Sequence, residues 1–423
     1  MRILLCCQFY APSVGGVQEV IRQIGERLVA SGHQVTVATT RLPERDFKML
    51  NGVAVKGFDV AGNLVGGMTG EVGEYQEYVL GGAFDVVMIY AAQQWTFDAL
   101  WPILDRIRIP KVFVPCGFSG LYEPGYAKYF QQMPEILRRF DSLVFHATNF
   151  RDINFAREHG IGGLSIIPNG ADEKEFNVAA DPLFRSRQGI SGQSFLFLTV
   201  GSFSGLKGHL ELAKAFSLLK LEEAQHATLI LNGNEVQLSE GGIGKSFLKL
   251  VSIVRTHGSV YAIKQIWKRL LGTGESPREV ARLINKSQPN KKVLVTNFPR
   301  KELTQAFMAA DLFVFASNVE YSPLVLYESA AAGTPFLTVD VGNAAEIAQW
   351  TGAGVMCPSA VDEKGYTRVS EAVLAQAMTE LMQQRERLEK LGGTGKKIWA
   401  KQYTWRKIAE QYEQLFLDLL KNR

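Results

Sequence analysis

The chain starts the same structural sequence twice, and this recurrence limits its fold more than any other feature. Ile3–Cys7 is an apolar run that breaks into a loop holding Pro12, Gly15 and Gly16. Val17, Val20, Ile21, Ile24 and Leu28 then recur at helical spacing, Ser31-Gly32-His33 stops the helix, and Val35–Thr39 opens another β-rich run. The second half repeats this order: Phe195–Val200, the loop Gly201–Gly208 with Lys207, apolar helical spacing from Leu210 to Leu219, and Ala227–Leu231. A strand joined to a strand through a helix is the crossover that parallel pairing requires.

Further strands are predicted at Val53–Phe58, Val86–Tyr90, Val112–Pro115, Leu143–Ala147 and Leu164–Pro168, then at Lys292–Thr296, Leu312–Ala316 and Pro335–Val339. The expected class is α/β, with two Rossmann-like doubly wound domains. Pro, Gly, Asp and Gln replace the apolar runs near Gly170 to Ser194, which sets the boundary. The expected domains are 1–170, 171–403, and a C-terminal helix over 404–423 whose stripe from Trp405 to Leu419 must bury one face, on a domain the sequence does not name; the N-terminal domain is one option.

The bulk properties exclude several functions. Lys plus Arg total 46 against 42 Asp plus Glu, a formal net charge of +4, too small to imply a nucleic-acid binder. Cys6, Cys7, Cys116 and Cys357 show no metal-ligand spacing and no disulfide density; they read as small buried hydrophobes, with Cys6 and Cys7 on opposite faces of one strand. Gln8 and Pro12 cut the N-terminal apolar run short of a signal-peptide core, and no stretch reaches transmembrane length. The expected location is cytoplasmic, or peripheral on the inner face of a membrane.

In doubly wound sheets ligands sit beyond the carboxyl ends of the strands, so the first loop of each half is the place for chemistry. Gly15-Gly16 before a helix suits a phosphate, though a steric turn explains two glycines equally well. The spacing misses the G-x-G-x-x-G dinucleotide fingerprint. Lys207, between Gly205 and Gly208, can set an ammonium against a diphosphate; the competing reading is a solvated surface lysine. In the third segment, Glu320-Tyr321-Ser322-Pro323-Leu324-Val325 leads to Glu328 and on to Ala331-Ala332-Gly333-Thr334-Pro335. Glu320 falls in the loop after a strand and Glu328 about two turns further, on a helix; carboxylates there accept sugar or ribose hydroxyls. Taken singly, they fit two exposed helix-start glutamates better.

Taken together, these pieces resemble the family-4 group of retaining glycosyltransferases (glycosyl transferases group 1) with the GT-B fold, in which two Rossmann-like domains face each other across a cleft. The resemblance covers nearly the whole chain. It rests on Gly15-Gly16-Val17, Ile167-Pro168-Asn169-Gly170-Ala171-Asp172, Leu206-Lys207-Gly208-His209, and above all the E-x7-E segment from Glu320 to Pro335. Asp340, Gly342, Glu346 and Thr404-Trp405 also fall where members have similar residues.

The resemblance implies a retaining, metal-independent hexosyl transfer from a nucleotide-diphosphate sugar, with UDP or GDP as the nucleotide, to a glycan or lipid-linked acceptor. No cofactor beyond the donor is implied. Cell-surface polysaccharide or glycolipid synthesis is the associated setting. Glu328 would bind the ribose, Glu320 the donor sugar, and the backbone N–H groups of Ser322 to Val325 would lie against sugar and diphosphate, bordered by Tyr321 and Pro323. Lys207 would neutralise the leaving diphosphate, Gly16 would let the backbone approach it, and Phe298 would border the base.

Two positions depart from the family. Ser202 stands where members commonly carry a second basic residue, and Cys116-Gly117 stands where many have His-Gly. These departures motivate a second hypothesis, a nucleotide-sugar-binding scaffold without turnover. A sugar-nucleotide epimerase is the third.

A basic insertion is expected over about 245–290. Its Lys245, Lys249, Arg255, Lys264, Lys268 and Arg269 accompany apolar residues at helical spacing, with Trp267 among them. It could lie on anionic lipid, but a hairpin packed on its own domain is the preferred reading. Gly241-Gly242-Ile243-Gly244-Lys245-Ser246 imitates a P-loop end, yet Ser239 occupies the earlier glycine position and no strand leads into it, so an ATPase is rejected.

Overall fold

A computed structural model describes residues 1–234 and 276–422. The Lys245–Leu271 segment and the P-loop-like stretch lie outside the described residues. The chain forms two compact units, Met1–Gly170 with Tyr403–Arg423, and Ala171–Gln402.

The first unit holds β1 (Arg2–Cys6), β2 (Gln34–Thr40), β3 (Met49–Leu50), β4 (Val53–Phe58), β5 (Val60–Asn63), β6 (Gly67–Gly70), β7 (Val86–Tyr90), β8 (Lys111–Val114), β9 (Ser142–Phe145) and β10 (Leu164–Ile166). Eight of these strands form one sheet in the order β10-β9-β8-β7-β1-β2-β4-β3. The pairs are parallel except β3 with β4. Strands covered on both faces must be apolar on both faces. Accordingly Ile3 to Cys6 and Val86 to Ile89 have no exposed surface. The strand ends at Cys6, one residue earlier than expected, so Cys7 is not its opposite-face residue. Both cysteines are nonetheless fully buried. β5 and β6 make a separate antiparallel hairpin that the sequence reading does not include.

The C-terminal helix Trp405–Lys421 belongs to this unit. The Thr404 hydroxyl caps it by accepting from the Lys407 N–H. Its Trp405, Ile408, Ala409, Tyr412 and Phe416 are buried, and Glu413 meets His33 Nε2 at 2.8 Å.

The second unit holds β11 (Phe195–Val200), β12 (Ala227–Asn232), β13 (Lys291–Thr296), β14 (Leu312–Phe315), β15 (Phe336–Thr338) and β16 (Gly354–Met356). Its sheet runs β13-β12-β11-β14-β15-β16, parallel throughout. The chain grows from β11 towards one edge and then restarts at β14 towards the other. Only the C-terminal part of the expected basic insertion lies among the described residues. Residues Pro277–Ser287 are a helix that buries Val280, Ala281 and Ile284, and Ser276 and Glu279 close a capping box at its start. Parallel β12 and β13 need a crossover, and this helix belongs to it.

The Tyr412 hydroxyl is buried with no hydrogen-bond partner among the described residues. Burial without a partner costs a hydroxyl more than it contributes. Tyr412→Phe should therefore leave stability unchanged or raise it by about 1 kcal/mol, read from chemical denaturation. A loss of that size would show that the hydroxyl is satisfied.

Candidate functional site

In the second unit the strand order reverses between β11 and β14, and a doubly wound sheet opens a crevice at the carboxyl ends of two such strands. The loops leaving them are Gly201–Gly208 and Ala316–Pro323, the two segments singled out from sequence.

Gly208 locks the first loop in place. It has φ 72°, in the left-handed region, and caps the helix His209–Ser217. A Cβ there would lie 2.0 Å from the Ala316 carbonyl oxygen, so only glycine lets the loop close against the end of β14. The Asn318 N–H donates to the Leu206 carbonyl at 2.9 Å and the Ser317 hydroxyl to the same carbonyl at 3.2 Å. Once the loops are tied together, Lys207 Nζ donates to Glu320 Oε1 at 2.5 Å, and Ser317 Oγ reaches the same oxygen at 3.1 Å. Neither partner is a free surface charge: the side chains are 27% and 17% exposed.

Helix Leu324–Ala332 follows, with Pro323 at its N-cap and no side chain capping it. The first N–H groups of a helix lack intrahelical acceptors and carry the positive end of its dipole. The main chain of Leu324 and Val325 presents that end. Ser322 is partly buried just ahead of it, and the Tyr321 carbonyl accepts the Asn343 N–H at 2.8 Å.

Glu328 lies about one turn into this helix, which begins at Leu324. It is buried rather than an exposed helix-start glutamate. Arg300 Nη2 donates to its Oε1 at 2.6 Å. The same guanidinium reaches Glu175 Oε2 at 2.5 Å from Nη2 and 2.9 Å from Nε, and lies 5.9 Å from the Phe176 ring centroid. Burial works against the Arg300 charge, but Glu328 and Glu175 outweigh it and hold its pKa above the ordinary value. Glu175 is pushed up by burial, with Arg300 pulling the other way. Sequence reasoning misses both Arg300 and Glu175.

Phe298 leaves β13 with its N–H on Asn232 Oδ1 at 2.8 Å and its ring edge-on to Phe184, so it lies at the carboxyl edge of the same sheet. Ser202 is half-buried in the Lys207 loop. His209 is buried beside Phe203, and burial lowers its pKa to about 4, with Lys207 adding to the effect.

Gly15 and Gly16 belong to the first unit. Gly15 is the N-cap and Gly16 the first residue of helix Gly16–Ala30; a Cβ on Gly16 would meet nothing within 4 Å. The packing of the first unit does not itself demand glycine at Gly16. After β8, Cys116, Gly117 and Phe118 take φ values of 60°, 89° and 45°. Asp152 Oδ2 accepts the Gly117 N–H at 2.8 Å and Arg151 Nε donates to the Gly117 carbonyl at 2.7 Å. Burial pushes the Cys116 thiol up to about 12, so it is not a thiolate at neutral pH. His146 is held inside the unit between the Tyr90 hydroxyl at 2.5 Å and the Ile167 carbonyl at 2.7 Å, and burial lowers its pKa to about 4.

Gly208→Ala should lower stability by about 1–3 kcal/mol, since both the left-handed backbone and the contact with Ala316 oppose a Cβ. An unchanged denaturation midpoint would show that the two loops are not locked through this residue.

Residues 181–398, just over half of the chain, match the family described as glycosyl transferases group 1. A stretch of 162 residues is 25% identical to N-acetyl-alpha-D-glucosaminyl L-malate synthase of Bacillus anthracis, spanning 38% of this chain and 40% of that relative's length. Sucrose-phosphate synthase from Thermosynechococcus elongatus superposes with a TM-score of 0.70 at 17% identity, over 100% of both chains. The Anabaena protein HepE, solved in complex with UDP, does so with a TM-score of 0.67 at 15% identity, over 99% of this chain and 100% of its own. The architecture is therefore GT-B, and the chain belongs to the glycosyl transferases group 1 family.

Proposed function

We propose that the protein is a retaining glycosyltransferase of the family-4 type, moving a hexose from a UDP-linked donor to a hydroxyl of a glycan or lipid-linked acceptor. The observation that carries this reading is the Lys207–Glu320 pair at the β11/β14 switch point, with Glu328 one turn into the helix that follows. The HepE complexes with UDP and with UDP-glucose favour UDP over GDP. WaaG, a glycosyltransferase of lipopolysaccharide biosynthesis with a TM-score of 0.59, favours a role in surface glycan or glycolipid synthesis. The proposed location is the cytoplasmic face of a membrane, held peripherally. No described helix is long and apolar enough to cross one.

In the proposed step the bond from the anomeric carbon to the β-phosphate oxygen breaks and its electron pair stays on that oxygen. The acceptor oxygen bonds to the anomeric carbon on the same face, and its proton passes to the departing phosphate. Charge builds on the diphosphate as the bond stretches, and fixed positive charge there lowers the barrier. Lys207 and the N-terminus of helix Leu324–Ala332 are the proposed sources, with no metal or cofactor assigned a part. At rest Lys207 is engaged by Glu320, so donor binding must transfer the ammonium from carboxylate to phosphate. Glu320 is then free to accept hydroxyls of the donor sugar, while Glu328 takes the ribose. Tyr321, Ser322, Pro323, Leu324 and Val325 line the sugar and diphosphate in this reading, Ser202 flanks the phosphate, Phe298 the base, and Gly15 and Gly16 are the phosphate-approach residues of the first unit.

A ligand that binds only the folded state must raise its apparent stability. Thermal melts with UDP, GDP, ADP and their sugar conjugates should shift with the uridine set alone. Turnover of the matching donor should fall by about a hundredfold or more in Lys207→Ala, with the fold retained. A folded protein that shifts with no nucleotide, or full turnover in Lys207→Ala and Glu328→Ala alike, would contradict the assignment.

A further inference from the structure

Arg300 is not among the residues that the sequence singles out, yet the structure builds a cradle around it. Phe176 is fully buried in the short helix Glu173–Phe176, with its ring against Phe307 and Trp399. That packing fixes the neighbouring Glu175, whose Oε2 takes two donors from Arg300. The guanidinium, in the first turn of helix Arg300–Ala309, then has one firm direction left, to Glu328 Oε1. The Glu328 side chain is only 10% exposed, and its other oxygen has no hydrogen-bond partner among the described residues. A carboxylate held by nothing samples several rotamers. Arg300 removes that freedom by immobilising one oxygen. Two carboxylates and one guanidinium leave a single net negative charge, offered through one oriented acceptor.

On the donor reading given above, we propose that Arg300, anchored by Glu175, is the positioning residue that makes Glu328 a reader of the ribose hydroxyls, so that selection of a ribonucleoside diphosphate over its 2′-deoxy counterpart depends on Arg300. Arg300 touches no reacting atom. Its effect passes through Glu328, and it falls on the sugar of the nucleotide rather than on the diphosphate that Lys207 serves.

A carboxylate accepting a hydroxyl hydrogen bond in a largely buried site discriminates by roughly tenfold to a hundredfold against a ligand lacking that hydroxyl. Calorimetric titration with UDP and with 2′-deoxy-UDP reads this ratio directly. The wild type should prefer UDP by at least about tenfold. In Arg300→Gln the preference should collapse towards unity because UDP affinity falls while 2′-deoxy-UDP affinity stays within about twofold. Arg300→Lys, which keeps the charge but cannot reach both carboxylates with a planar fork, should retain an intermediate ratio; it also serves as the test if the glutamine variant does not fold. A variant that keeps the wild-type ratio, or loses affinity for both nucleotides equally, would overturn the role of Arg300. So would a wild type that binds both equally. A folded wild type that binds neither would overturn the donor reading itself, which separates the two failures.

Discussion

Two parallel strands that leave the middle of a sheet for opposite edges cannot have their following loops cover the same ground, and the gap between those loops is where a ligand fits. In the second unit that gap lies between β11 and β14, and the local geometry follows from it. The gap has to be narrow for side chains of the two loops to meet. Gly208 narrows it by letting backbone touch backbone at Ala316, and the Leu206 carbonyl, taking donors from Ser317 and Asn318, holds it there. The Lys207–Glu320 pair is a consequence of that closure, because residues so far apart in sequence meet only if both loops are fixed.

The two ion pairs differ in what surrounds them. Lys207 and Glu320 are a single cation and a single anion, each retaining some water. Such a pair is worth little as a stabilising device, but its ammonium can be captured by a stronger anion, and a diphosphate carries more charge than one carboxylate. Arg300 is different: it bridges two carboxylates, so freeing it means breaking contacts to both at once. In the proposed function the exchangeable pair serves the group that changes charge during the reaction, and the locked cluster serves the nucleotide sugar, which does not.

Much of the frame was legible in the sequence because parallel strands buried on both faces are written as unbroken apolar runs. Phe195–Val200 and Val86–Tyr90 have the boundaries the runs predict. The β5–β6 hairpin was not legible: Val60–Asn63 and Gly67–Gly70 carry small residues with little β-branching or alternation. Lys207, Glu320 and Glu328 could be found because loop position and the E-x7-E spacing mark them. No local pattern announces Arg300. It is one basic residue opening a helix, and its partners at positions 175 and 328 join it only through tertiary packing. The partial burial of Cys116 and the two contacts that satisfy His146 are likewise properties of the folded unit.

In the proposed function the key event is the competition of Glu320 with the donor diphosphate for Lys207. Its most direct test is the affinity of UDP for Glu320→Gln, measured by calorimetry beside the wild type. Removing the competing carboxylate frees the ammonium and takes a negative charge away from the phosphates, so UDP should bind several-fold tighter, on the order of 1 kcal/mol, even though Glu320 is proposed to hold the donor sugar. Weaker binding of UDP in Glu320→Gln would mean that the carboxylate orients Lys207 for the diphosphate rather than competing for it, and would contradict the exchange on which the account rests.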